Sequence, residues 1–354
     1  MPRRCRLLLI LILALLSAFS FHHKLRQRAQ DLHRMRKTYK KLSEAECLQV
    51  KSLVLNSTRN TFDRTELFSV MKELQGCSWE ENLTEREKRR SQFMACCNAS
   101  HTLVLTQENS PIGHIIQYDA EIRSRNVTED LLHMFPKTSP FSKPIRRCAV
   151  VGNGGILRNS SCGADIDKAD FVFRLNFPPL NWTKDVGSKT HLVTANPSII
   201  IDRYGRLLSH RKPFINMVKA YGSALVLLPA FSYSMNTDVS MRTFVTLEDF
   251  DMSSKVVFFN PKYLQKLSSY WKGIGLRFFR MSSGLMVASA AFEVCQKVTL
   301  YGFWPFPNDL EGIPIPHHYY DNVHPKPVHS MSDEFYQYLR MHSQGALELK
   351  LGQC

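Results

Sequence analysis

A single α/β domain on a doubly wound, mostly parallel sheet is what this chain predicts from about residue 96 onward, and three observations predict it. Short runs that are apolar throughout recur at CAVVG (148–152), FVFRLN (171–176), HLVTAN (191–196), ALVLLPAF (224–231), VVFFN (256–260) and KVTLYGF (297–303). Runs of that kind mark strands buried on both faces. Helix-like segments lie between several of them, among them PKYLQKLSSYWKGIG (261–275) and SSGLMVASAAFEVC (282–295). Strand alternating with helix argues a parallel sheet covered on both sides. The third observation is size: of 354 residues, 44% hydrophobic, about 250 remain behind a distinctive N-terminus, enough for one large domain.

That N-terminus reads MPRRCRLLLILILALLSAFSFHHKLRQR. Arg3, Arg4 and Arg6 precede an apolar run from Leu7 to Phe21, and more basic residues follow. The run is read as an uncleaved signal-anchor transmembrane helix over 7–21, behind a cytoplasmic tail of residues 1–6. A short span suits the thinner membranes of the early secretory pathway. A removed signal peptide, cut near Ala18-Phe19-Ser20, is the alternative. Residues 22–95 are charged and only weakly periodic, which reads as a lumenal stem, with the globular head over 96–354.

Lumenal exposure agrees with the sequons at Asn56, Asn82, Asn98, Asn126, Asn159 and Asn181. It agrees also with nine cysteines, of which Cys5 sits beside the membrane and the other eight can pair in an oxidising compartment. The net charge of +15 could suggest nucleic acid. Much of the excess, however, falls on Lys24, Arg26, Arg28, Arg34, Arg36, Lys37, Lys40 and Lys41. In a lumenal protein such a field favours anionic small molecules or acidic glycans, and a solvated stem accounts for that segment equally well.

Parallel sheets bind ligands beyond the C-terminal ends of their strands, so the loops there come next. VGNGGIL (151–157) places Gly152, Gly154 and Gly155 around Asn153. It lacks the spaced last glycine of a dinucleotide fingerprint, and either close approach to a ligand or a plain tight turn explains it. Asn176 and Asn196 end two further strands. Three asparagines so placed suit a hydrogen-bonding reader of ribose, base or phosphate, with Asx turns the plainer reading. Ser282-Ser283-Gly284 opens a helix, where it either caps the N-terminus or adds an anion site to it.

The segment HHYYDNVHPKPVHSMSDEF (317–335) holds His317, His318, His324 and His329. Ser332 reads as the cap of a helix running on to His342, which sets His329 just ahead of a positive dipole end and favours a neutral ring able to accept a proton. A zinc site on the four histidines is the rival, but their spacing matches no metal pattern. The triplets Asp165-Ile166-Asp167 and Asp249-Phe250-Asp251 could hold Mg²⁺ beside a diphosphate, though solvated acids explain both.

With these residues in view a family resemblance stands out. CAVVGNGGIL…SCGADIDKADFVFRLNFPPL…KDVGSKTHLVTANPS resembles the large sialylmotif of animal sialyltransferases, and MSSGLMVASAAFEVCQKVTLYGFWPF resembles the small one. HHYYDN resembles the third motif, and His329 with Glu334 fits the very short HxxxxE motif. NPSII, PAFS, GFWPF and HHYYDN look most like the α2,8 branch, and more like its ganglioside or O-glycan enzymes than its polysialic acid makers. Leu175 stands where close relatives often have cysteine, and Ser283 where many have threonine.

The resemblance implies a Rossmann-like, GT-A-like variant of the doubly wound sheet, in a Golgi type II membrane protein that transfers sialic acid from CMP-sialic acid with inversion. It implies no cofactor and no metal. Asn153 and Asn176 would hold the nucleotide, Ser282, Ser283 and Gly284 the carboxylate or phosphate, and Trp304 would line the donor pocket. His318 would assist the departing phosphate and His329 act as general base. Disulfides Cys148–Cys295 and Cys162–Cys354 are implied as well; Cys47, Cys77, Cys96 and Cys97 are left, and adjacent cysteines rarely bridge each other, so Cys96 and Cys97 are expected to reach separate partners.

The expected reaction is therefore transfer of sialic acid to the 8-hydroxyl of a terminal sialic acid on a glycolipid or glycoprotein. Transfer onto galactose or GalNAc, or a non-catalytic glycan-binding relative, are the alternatives. The expected partners are the donor, a sialylated acceptor and the Golgi membrane, with no nucleic acid; a homodimer is an assembly the stem would allow.

Overall fold

The computed structural model describes residues 16–17, 19–24, 39–57, 63–323 and 328–354. Most of the expected anchor (residues 7–15 and 18) and His324 lie outside these. Among the described residues no helix is long and apolar enough to cross a membrane.

Two strands, β1 (Ile115–Gln117) and β2 (Ser124–Asn126), form a small antiparallel ladder. The other seven are β3 (Ile145–Val151), β4 (Phe171–Arg174), β5 (Leu192–Thr194), β6 (Leu225–Leu228), β7 (Lys255–Phe258), β8 (Cys295–Tyr301) and β9 (Glu348–Lys350). They make one sheet in the order β7-β6-β5-β4-β3-β8-β9, parallel throughout. The chain winds outward from β3 through β7 and then returns to pair β8 on the other side of β3. The six apolar runs are thus β3 to β8. Their central residues are buried on both faces, as Val150, Val172, Val193, Val226 and Leu300 show.

Helices form where the local chemistry closes their first turn. Pro261 follows the cap Asn260, whose side chain accepts from Lys262 N–H, and the Ser282 hydroxyl accepts from Leu285 N–H. The helix Ser283–Val294 is buried almost all round because it lies between the sheet and a layer contributed by the N-terminal segment.

That layer corrects the expected boundary. Packed structure begins by residue 39, not 96. Helix Glu44–Asn56 starts on a reciprocal capping box of Ser43 with Glu46, and helix Arg64–Leu74 on one of Asp63 with Glu66. Val50, Val54, Val70, Met71, Leu74 and Phe93 all enter the main core. The Phe93 ring lies 5.6 Å from Trp271 and 5.8 Å from Phe292. The phenol of Tyr336, on helix Met331–Ser343, reaches the carbonyl oxygens of Val54 and Ser57, both at 3.0 Å.

Cys148–Cys295 and Cys162–Cys354 are bridged as expected, and Cys47 pairs with Cys77. Cys96 and Cys97 bridge each other, contrary to the expectation of separate partners. Helix Leu83–Cys96 breaks at this point, with Cys97 at φ −127° and Asn98 left-handed at φ 58°. Every other described thiol is already paired.

Starting the chain at residue 39 should leave the melting temperature of the head unchanged. Starting it at Asn98 should lower stability by roughly 1.5–3 kcal/mol for each buried side chain removed, enough to yield an aggregating or molten product in a calorimetric scan. Equal melting of the two truncations would show that the N-terminal layer is only a stem.

Candidate active site

The register of the sheet sets the floor of the main cleft. Val151 on β3 stands opposite both Arg174 on β4 and Tyr301 on β8. The loops that begin at Gly152, Leu175 and Gly302 therefore leave the sheet at one level, where the strand order reverses. A cleft of about 400 Å³ opens there. Asn153, Asn176, Ser282, Ser283, Gly284, Trp304, His318 and His329, drawn from four separate stretches of sequence, all line it.

The glycines of VGNGGIL are needed for backbone packing. A Cβ on Gly154 would stand 2.6 Å from the Gly302 carbonyl oxygen, and one on Gly155 1.9 Å from that of Pro316. The loop after β3 is thereby pressed against the loop after β8 and the one carrying His318, with Gly154 bridged to His318. Asn153 donates from Nδ2 to the Leu175 carbonyl at 2.8 Å. Its Oδ1 is buried with no hydrogen-bond partner, an acceptor waiting for a donor at the cleft floor. Asn176, left-handed at φ 69°, accepts from Asn196 N–H at 2.9 Å. Asn196 in turn accepts from the Ser283 hydroxyl at 3.3 Å. The three asparagines thus form one linked floor.

Ser282 is held from below. Its N–H donates to Glu334 Oε1 at 2.9 Å, and its hydroxyl also meets the Glu334 carboxyl. Burial pushes the Glu334 carboxyl up to about 7, against the opposing hydrogen bonds from Ser282. Helix Met331–Ser343 begins one residue after Ser330, so the expected cap at Ser332 is displaced by two residues. Glu334 stays within the first turn, now as its fourth residue, and is aimed at the neighbouring helix N-terminus. Glu334 was legible only as a motif letter; its role as a tie between two helices needed the third dimension.

His329 and His318 differ in what fixes them. The Nδ1 of His329 lies 2.9 Å from the Arg280 carbonyl oxygen. A carbonyl can only accept, so Nδ1 carries a hydrogen, and in a neutral ring the lone pair is then on Nε2. His318 Nδ1 lies 2.7 Å from Asp321 Oδ1, and its ring stacks on Tyr320 at 5.1 Å. Asp321, absent from the sequence reading of the site, accepts the hydrogen on His318 Nδ1 and fixes the orientation of the ring. Its signal was the i, i+3 spacing in HHYYD. His317 shapes this loop through its backbone, its carbonyl accepting from Gly155 N–H and its N–H donating to Asn322.

Trp304 is only 5% exposed. Its indole N–H donates to the Asn308 carbonyl at 2.8 Å, and its ring packs on Phe306, Phe335 and Phe68. It offers the cleft an apolar edge and no donor. Among the described residues no group of three metal-ligating side chains forms. Asp167 accepts from Ser188 and Lys189 N–H, Asp249 pairs with Arg211, and neither DxD triplet lines the cleft.

The buried Glu334 makes stability depend on pH. Its folded value of about 7 exceeds the ordinary 4.5. The associated stability is therefore fully present below 4.5 and is lost as pH rises through about 7. Glu293, also pushed up to about 7 by burial, acts in the same window. Thermal melts of Glu334→Gln should show a shallower fall over that range than the parent, with Glu293→Gln removing the rest. An unchanged slope in both variants would mean that neither carboxyl is protonated in the fold.

Residues 100–346 match glycosyltransferase family 29, the sialyltransferases. The chain is 43% identical over 314 residues to human alpha-2,8-sialyltransferase 8E, covering 87% of this chain and 84% of that one. It is 44% identical to mouse alpha-2,8-sialyltransferase 8F, covering 84% and 76%. It is 45% identical to the alpha-N-acetylneuraminide alpha-2,8-sialyltransferase of Xenopus tropicalis, covering 79% and 82%. The fold is similar to the crystal structure of a mammalian sialyltransferase, with a TM-score of 0.51 at 21% identity over 78% of this chain and all of that one. With the motif residues gathered in one cleft of a matching fold, the chain belongs to glycosyltransferase family 29, the sialyltransferases.

Proposed function

We propose that the protein is an α2,8-sialyltransferase, transferring sialic acid from CMP-sialic acid to the 8-hydroxyl of a terminal sialic acid. The observation that carries the reading is the pair of histidines lining one cleft with different partners on Nδ1, the Arg280 carbonyl oxygen on His329 and the Asp321 carboxylate on His318. The names of the relatives support the linkage.

In this mechanism the acceptor O8 attacks the anomeric carbon of the donor while His329 Nε2 takes the hydroxyl proton. The bond from that carbon to the phosphate oxygen breaks, and its electron pair leaves with CMP. The transition state has oxocarbenium character, so stabilising the leaving group matters more than forcing the nucleophile. His318 neutralises the phosphate. The free N–H groups at the start of helix Ser283–Val294, steadied by Glu334 through Ser282, face the donor's carboxylate. The unpartnered Asn153 Oδ1 accepts from the nucleotide's base or ribose. No step calls on a metal, because a monophosphate leaving group is served by these groups.

A Golgi location, type II and single-pass through residues 7–21, belongs to the same proposal. The disulfides support an oxidising lumen, and Asn82, Asn126, Asn159 and Asn181 are exposed for glycosylation.

The test is an acceptor panel. Detergent-solubilised full chain with CMP-sialic acid and EDTA should transfer to a sialylated ganglioside or O-glycoprotein and not to the desialylated form of either. Transfer to the desialylated forms overturns the linkage, and inactivity that Mg²⁺ restores overturns the metal-free mechanism. His329→Ala should slow transfer about 10²- to 10⁴-fold while leaving CMP affinity, read by calorimetry, unchanged. Equal loss of both would remove His329 from the role of base.

A further inference from the structure

We propose that Arg203 binds the carboxylate of the acceptor's terminal sialic acid, and so makes an already sialylated acceptor the preferred one. The proposal rests on the acceptor reading above and names the residue that enforces it.

Helix Pro197–Tyr204 starts from the asparagine floor, at Asn196. Ser198, Ile199, Asp202 and Arg203 line the cleft from it, the i, i+1, i+4, i+5 spacing of one helix face, whereas Ile200 is fully buried. At about 1.5 Å of rise per residue, Arg203 stands about 10 Å along the axis from Asn196. The donor sits on the floor, and the acceptor must come in over it from the mouth. Arg203, exposed in the last turn of the helix, is the lining residue of that helix farthest along its axis from the floor.

Charge matching points the same way. The two substrates bring three anionic groups to the reacting centre: the donor's phosphate, the donor's carboxylate and the acceptor's carboxylate. His318 and the N-terminus of helix Ser283–Val294 answer the first two. Among the described residues Arg203 is the one lysine or arginine that lines the cleft. The arginines that brace the fold are spoken for: Arg174 donates to the Lys189 carbonyl and the Thr190 hydroxyl, and Arg147 pairs with Asp170. Arg203 is exposed and has no hydrogen bond or ion pair to any described residue.

Arg203 is nonetheless electrostatically coupled to the reacting end. Burial and Asp321 push the Tyr320 phenol up to about 12, and Arg203 opposes them; the Tyr320 ring is the one stacked on His318. Asp202 lines the cleft beside it but makes no ion pair with it, which leaves the guanidinium fork free for a two-point grip on a carboxylate.

The test uses the full chain and its Arg203→Gln and Arg203→Lys variants, with folding checked by thermal melts. Initial rates are measured against a sialylated acceptor, against the same acceptor with its terminal carboxylate methyl-esterified, and for acceptor-free hydrolysis of CMP-sialic acid. The expected result is a rise in KM for the sialylated acceptor of about ten- to a hundredfold in Arg203→Gln, a smaller rise in Arg203→Lys, and unchanged donor KM and donor hydrolysis. The parent should disfavour the ester by a similar factor, and Arg203→Gln should no longer distinguish ester from acid. A shifted donor KM or hydrolysis rate would assign Arg203 to the donor and overturn the proposal. Full retention of ester discrimination in Arg203→Gln would make it a surface charge and also overturn it. Failure of the broader reading looks different: the parent itself would then accept desialylated glycans.

Discussion

The pairing of β3 with β8 is the constraint on which the site depends. Six residue pairs run in parallel register from Ile145 opposite Cys295 to Val151 opposite Tyr301, and the Cys148–Cys295 disulfide crosses between the same two strands. A slip of one residue would turn every side chain of either strand to the opposite face and would carry Gly152 away from Gly302. In the observed register those two glycines abut. The loop with Asn153, the loop with Trp304 and the histidine loop can then pack backbone to backbone. The cleft is where three loops meet because two strands distant in sequence cannot slide.

A second layer of constraint comes from the N-terminal helices. They lie away from the cleft floor, yet Phe68 supports the Trp304 ring, and the carbonyls of Val54 and Ser57 meet Tyr336 two residues after Glu334. The buried carboxyl of Glu334 then positions Ser282 and with it the start of helix Ser283–Val294. Support thus passes from what reads as a stem, through helix Met331–Ser343, to the N–H groups at the start of helix Ser283–Val294. This is the work of supporting groups in general: they hold first contacts within the tolerance that chemistry requires.

How much of this was legible follows from the range of each signal. The six strands from β3 to β8 could be read because a doubly buried strand must be apolar at every position. The two main helices were readable because their caps and apolar faces are local. β9 was missed: three residues, Glu348–Lys350, with one buried, leave no pattern. The N-terminal layer was missed because helix Leu83–Cys96 buries only Phe93, and Glu44–Asn56 only Cys47, Val50 and Val54. Sparse apolar residues on a charged helix look like a solvated stem until a partner surface is known. Motif resemblance supplied the site residues, but their partners (Asp321 for His318, the Arg280 carbonyl for His329, Ser282 for Glu334) are facts of space.

The two histidines show what the fold adds to the sequence. By composition they are the same group, and either could accept or donate a proton at neutral pH. A backbone carbonyl at His329 and a carboxylate at His318 make them different. A carbonyl offers His329 no charge and fixes the ring through Nδ1 alone. A carboxylate brings a full negative charge to the Nδ1 side of His318. Exchanging the two partners would leave every motif letter in place and move the carboxylate from one ring to the other. What distinguishes the two histidines is therefore written in the second contact of each ring and not in the rings themselves.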